Sequence, residues 1–164
     1  MNLVLDLNRY SIINTHFLEK KRNIIIDGNF SKILYTNELF TMNGLYFIVP
    51  FEIISFDKVL NKNLIKFNPY SKANYQIIQE FAKLEYRIIE YYKQMYNCSP
   101  KIVNSLSKQM YSGSMKVYRD YNTEKKMSLS KTDSQSYFIL KISGIWETKD
   151  DVGITFKLFQ IQDT

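Results

Sequence analysis

The residue types that most often perform chemistry are scarce in this chain. There is one histidine, His16, and one cysteine, Cys98, among 164 residues. A serine or cysteine nucleophile working through an imidazole would depend on His16 alone. Its setting, Asn14-Thr15-His16-Phe17, matches no nucleophile or metal motif, and an incidental half-buried or surface histidine is the simpler reading. A lone cysteine builds neither an intrachain disulfide framework nor a zinc site of the usual type, which reads as an intracellular chain. The adjacent acids Asp150-Asp151 fall in a polar stretch, and a paired-carboxylate metal site would need further acids from elsewhere. Neither GxxxxGK[ST] nor GxGxxG occurs. The expectation is a protein without a catalytic centre, a metal or a cofactor.

Lysine and aromatic rings, by contrast, are plentiful. Lys and Arg number 22 against 16 Asp and Glu, a formal charge of +6, and there are 13 Tyr, 11 Phe and 1 Trp. A basic balance favours anionic partners. Stacking of a base on an aromatic face is worth ~1–3 kcal/mol in single-strand binders. Composition alone has a bland alternative, because Asn, Ile, Lys, Tyr and Phe all have A/T-rich codons.

Spacing is more informative than composition. Phe138, Leu140 and Ile142 alternate with Tyr137, Ile139 and Lys141. Ile154, Phe156 and Leu158 alternate with Thr155, Lys157 and Phe159, and Met115 and Val117 with Lys116 and Tyr118. In strands, alternate residues point to opposite faces. If the apolar sets share one core, the other face gathers Lys116, Tyr118, Tyr137, Lys141, Lys157 and Phe159. Lysines there would neutralise phosphates while the rings stack on bases; otherwise this is an ordinary solvated sheet face. Lys20-Lys21-Arg22 is the densest basic cluster. It could grip a phosphate backbone, act as a nuclear address, or form a solvated hairpin loop. Trp146 could stack on a base or anchor a hairpin, anchoring being the usual role of so large a core contributor. Among the tyrosines of the central segment, Tyr86 falls off the apolar stripe and is a surface candidate.

Several elements must position these residues. Leu3-Val4-Leu5 and Asn23 to Ile26 read as strands, the second closed by Asp27-Gly28. Ser31 to Phe40 and Leu45 to Ile54 read as strands joined by an Asn43-Gly44 hairpin turn. Leu64 to Phe67 reads as a short strand. From Ser71 to Asn97 the spacing of Phe81, Leu84, Ile88, Tyr91 and Met95 predicts a long amphipathic helix, which Pro100 ends. Lys101 to Tyr111 reads as a shorter helix and Tyr121 to Ser134 as a polar loop carrying Lys125 and Lys126. Strands follow over Ser114 to Asp120, Tyr137 to Ile145 and Val152 to Ile161. Length and order predict one α+β domain with a mainly antiparallel sheet. No apolar run reaches the ~20 residues of a membrane span, and the first residues do not resemble a signal peptide.

The segment Phe138-Ile139-Leu140-Lys141-Ile142-Ser143-Gly144-Ile145-Trp146-Glu147, followed by Gly153-Ile154-Thr155-Phe156-Lys157-Leu158, resembles the C-terminal part of small single-stranded DNA-binding proteins of large DNA viruses. Leu84-Glu85 and Tyr111 to Tyr118 fit the same outline, so the resemblance covers about the second half of the chain. It implies an OB-like β-barrel or a related open sheet, no enzymatic activity, a role in DNA replication in the host nucleus or cytoplasm, and homo-oligomers that coat single-stranded DNA. Lys141, Trp146 and Lys157 are the positions it carries over. The alternative is a viral structural or interaction protein that docks a partner through the long helix. A nuclease is a third and weaker reading, for want of a histidine or acidic cluster.

Overall fold

The computed structural model describes residues 4–25, 27–119 and 136–162. The polar stretch from Tyr121 to Ser134, with Lys125 and Lys126, lies outside them. In chain order come β1 (Thr15–Phe17), β2 (Lys21–Asn23), β3 (Gly28–Thr36), β4 (Thr41–Asn43), β5 (Leu45–Ile48), β6 (Ser55–Val59) and β7 (Lys62–Lys66). Then follow α1 (Lys72–Tyr96), β8 (Lys101–Ile102), α2 (Ser105–Ser112), β9 (Ser114–Arg119), β10 (Ser136–Thr148) and β11 (Asp151–Gln162). The class is α+β, as the order of patterns predicts.

The two C-terminal strands are the spine. β10 and β11 pair antiparallel from Ser136–Gln162 to Glu147–Val152, with a register shift between Ile142 and Gly144. Along its other edge β10 has two partners: β5 opposite Ile139–Ile142 and β3 opposite Gly144–Thr148. On the far edge of β11 lie β9 and the short β8, both parallel to it. The main path runs β1-β3-β10-β11-β9-β7-β6, mostly antiparallel, and does not close. The described strands therefore form an open sheet and not a closed barrel.

The sequence-expected turns shift in instructive ways. Asn43-Gly44 is not the hairpin turn. Gly44 has φ +92°, and the chain bends there as it leaves its pairing with β3 and takes up β10. A Cβ at Gly44 would stand 3.0 Å from the Ile142 carbonyl oxygen. The real turn is Asn37–Phe40, where Asn37 Oδ1 accepts from the Leu39 and Phe40 amides. The expected strand over Leu45–Ile54 stops at Ile48, two residues before Pro50, since proline cannot donate to a ladder. Its continuation is β6, hairpinned to β7 through Leu60 and Asn61, both at positive φ. Of the expected first strand, Leu5 makes only an isolated bridge to Phe47. The strand expected at Asn23–Ile26 lies earlier, at Lys21–Asn23. Lys101–Ile102 is a strand rather than the start of the second helix.

Helix α1 packs across the inner side of the sheet through Ile78, Phe81, Leu84, Ile88, Ile89 and Tyr92, all buried. The expected stripe drifts at its end: Tyr92 is buried, whereas Tyr91 is half-buried and Met95 exposed. No described helix is long and apolar enough to cross a membrane. Ser71 caps α1 by accepting from the Asn74 amide. The buried Asn74 side chain also accepts from Glu52 N and donates to Glu52 O and Asn68 O, which ties the β5–β6 crossing to the helix start. Helix α2 has no side-chain cap of its own. Glu85 of α1 supplies it, accepting from Leu106 N at 2.8 Å and from Ser107 N and Oγ at 3.1 and 2.9 Å. Burial pushes the Glu85 carboxyl above its ordinary value, although these three donors oppose the shift.

Candidate nucleic-acid interface

The alternation expected in the last three strands is present. Phe138, Leu140, Ile142, Ile154, Leu158, Met115 and Val117 are buried in the core, with Phe156 packed against it. Register then fixes what shares the opposite face, because directly paired residues point the same way. Lys141 pairs with Lys157 on one side and with Tyr46 on the other. Phe159 pairs with Ile139 and with Tyr118.

These residues touch. Lys116 Nζ and Lys157 Nζ both stand over the Tyr118 ring, 4.5 and 4.9 Å from its centroid. Lys141 Nζ is 5.5 Å from the Tyr46 centroid. The Tyr118 and Phe159 rings lie 5.9 Å apart. Among the described residues the salt bridges are Lys20–Glu147 and Lys66–Asp57, so Lys116, Lys141 and Lys157 are held by rings and not by acids. An ammonium over an exposed ring gains about 0.5–1 kcal/mol, much less than a desolvated ion pair would, so an incoming phosphate meets little competition. Tyr137 lies opposite Ile161 on the same face by register and is 40% exposed. Tyr46 was missed in the sequence because β5 seemed to run on to Ile54 beside a hairpin; only its pairing with β10 brings it here.

Farther along β10, the same face continues past the register shift as Gly144 and Trp146. Trp146 pairs with Gly153 and with Phe30, and Phe30 pairs with Lys21. Both large rings rest on glycine. A Cβ on Gly153 would stand 2.5 Å from Trp146 Cζ2, and one on Gly144 would stand 2.4 Å from Phe30 Cζ. The bare backbone lets each ring lie against its strand. Trp146 Nε1 also donates to the Ile154 carbonyl at 3.2 Å. Trp146 therefore anchors the β10–β11 hairpin and keeps part of its indole accessible.

The basic cluster is divided. Lys20 Nζ contacts Glu147 Oε2 at 3.1 Å and covers the Tyr92 and Tyr96 rings. The Tyr92 hydroxyl donates to the same Glu147 oxygen at 2.6 Å. Burial and that acid push the Tyr92 hydroxyl well above the usual phenol range. Lys20 thus belongs to the packing of the α1 end. Arg22 pairs with Asn29, which pairs with Glu147, so it shares that helix side. Lys21 alone of the three falls on the lysine–aromatic face. Tyr86 is exposed on α1, away from that face. His16 is exposed on β1, and Cys98 is a free, half-buried thiol whose pKa burial raises.

No family model matches the chain, and no curated protein or solved structure is detectably similar to it.

Proposed function

We propose that the outer face of β5, β10, β11 and β9 binds single-stranded nucleic acid without strong sequence preference, DNA being favoured. The observation that carries the reading is the set of three lysines, Lys116, Lys141 and Lys157, held over tyrosine rings and free of acid partners among the described residues. The lysines would take phosphates, and Tyr46, Tyr118, Tyr137 and Phe159 would offer planes to bases. Trp146 with Phe30 would extend the path, with roughly 15–17 Å of strand between Lys141 and Trp146. The motif resemblance of Phe138–Glu147 and Gly153–Leu158 to viral single-strand binders supports the same reading and adds replication, an OB-like origin of the open sheet and oligomeric coating as parts of the proposal.

Docking through α1 is less favoured. Its solvent side carries Gln76, Gln79, Glu80, Lys83 and Arg87, and its exposed apolar residues, Tyr75, Tyr86, Met95 and Tyr96, do not follow i, i+3, i+4 or i+7 spacing. A helix presented to a partner groove would show apolar anchors at helical spacing.

A titration of the full chain with fluorescent oligo-dT at two salt concentrations tests the reading. Three phosphate contacts predict a slope of log affinity against log salt near −2, so affinity falls roughly twentyfold from 50 to 200 mM salt. Absence of binding at low salt would end the proposal.

A further inference from the structure

Three consecutive isoleucines, Ile24, Ile25 and Ile26, stand between β2 and β3, and Ile24 and Ile25 are exposed by 98% and 94%. Nothing in the core requires them there, and neither packs on another described side chain of the core. Asn23 Oδ1 accepts from the Ile25 amide at 3.0 Å, which fixes the turn out of β2. The base of the hairpin is pressed onto β10, since a Cβ on Gly28 would stand 2.1 Å from the Glu147 carbonyl oxygen. A pair of aliphatic side chains is thus carried beyond the sheet on a seated arm.

The arm also has a direction and a charge. Lys21 pairs with Phe30, and Phe30 with Trp146, so the arm leaves the sheet at the end of the lysine–aromatic face. Lys21 and Arg22 precede the isoleucines on β2 and are exposed. Exposed aliphatic residues next to a basic pair suit a polyanion that also offers an apolar slot. A base step is such a slot, and apolar side chains including Ile do wedge between bases.

We propose that the β2–β3 hairpin is a pin that enters the junction between single-stranded and duplex nucleic acid. Ile24 and Ile25 insert against the last base pair, while Lys21 and Arg22 hold the flanking phosphates. The released strand then runs onto the face bearing Trp146 and Lys141. The inference rests on the single-strand reading of that face and gives it a polarity: the duplex lies at the hairpin end.

The test uses the full chain and a forked DNA duplex carrying a fluorophore and quencher at the junction, with an oligo-dT titration in parallel. The wild type should open the fork. Ile24→Asn/Ile25→Asn should keep its oligo-dT affinity within about twofold and open the fork roughly tenfold less, because the wedge no longer offsets unstacking. Ile24→Leu/Ile25→Leu should retain opening. Equal opening by the Asn variant, or an equal loss of oligo-dT affinity, would overturn the pin. So would isoleucine-dependent sedimentation of the protein with phosphatidylserine vesicles, which would assign the tip to a lipid surface. A wild type that binds oligo-dT but does not open the fork removes the pin alone. A wild type that binds no oligo-dT removes the binding face and the pin together.

Discussion

At the scale of single residues, the three lysines are separable from the fold. Lys116 and Lys157 are exposed, and none of the three is tied to an acid among the described residues. Lys116→Ala/Lys141→Ala/Lys157→Ala should leave thermal unfolding nearly unchanged, lower oligo-dT affinity and remove most of the salt slope. Isothermal calorimetry in low and high salt checks it. Glu85 is the opposite case. Its carboxyl titrates higher in the fold than the ordinary 4.5, so between 4.5 and that higher value the folded state holds the extra proton. Stability is then greatest on the acid side and declines as pH rises through this window. Glu85→Gln should flatten that slope in urea titrations at several pH values. Glu85→Ala should cost about 1–3 kcal/mol by leaving the Leu106 and Ser107 amides buried without an acceptor. At the alkaline end, burial raises Tyr10 to about 12. The unfolded phenol ionises first above its ordinary 10, so stability should fall from pH 10 upward and level off beyond about 12. The residues legible in the sequence were those whose role follows from alternation, such as Lys141 and Lys157. Glu85 was not legible, because its donors lie 21 and 22 residues away on another helix.

At the scale of elements, glycine decides where strands can cross and where rings can lie. Gly153→Ala should push the indole of Trp146 off its strand, costing about 1–3 kcal/mol by overpacking. Trp146 is the one tryptophan of the chain, so its emission maximum should shift to the red and its quenching by oligo-dT should change. An unshifted spectrum would show that the strand yields instead. Elements with strong periodicity were legible: α1 is found at Lys72–Tyr96 and β11 at Asp151–Gln162, close to their expected spans. The N-terminal strands were not, for a physical reason. Asn43-Gly44 permits positive φ, but a hairpin turn and a change of pairing partner both need it. Local sequence cannot tell which carbonyl will face the glycine. Here it is that of Ile142, 98 residues on.

At the scale of the whole molecule, the sheet is organised around strands that stand late in the chain. β3 and β5 share one edge of β10, and β8 and β9 share one edge of β11. During synthesis, β5 emerges with its edge open until β10 and β11 follow. At 5–20 residues per second, the 114 residues from Ile48 to Gln162 take roughly 6–23 seconds. Throughout that interval the nascent chain carries aliphatic strands without their central partner. Folding therefore has to wait for the last described strands, and crowded polysomes or a shortage of chaperones should lower the yield of native protein more than they do for chains whose early strands pair with one another.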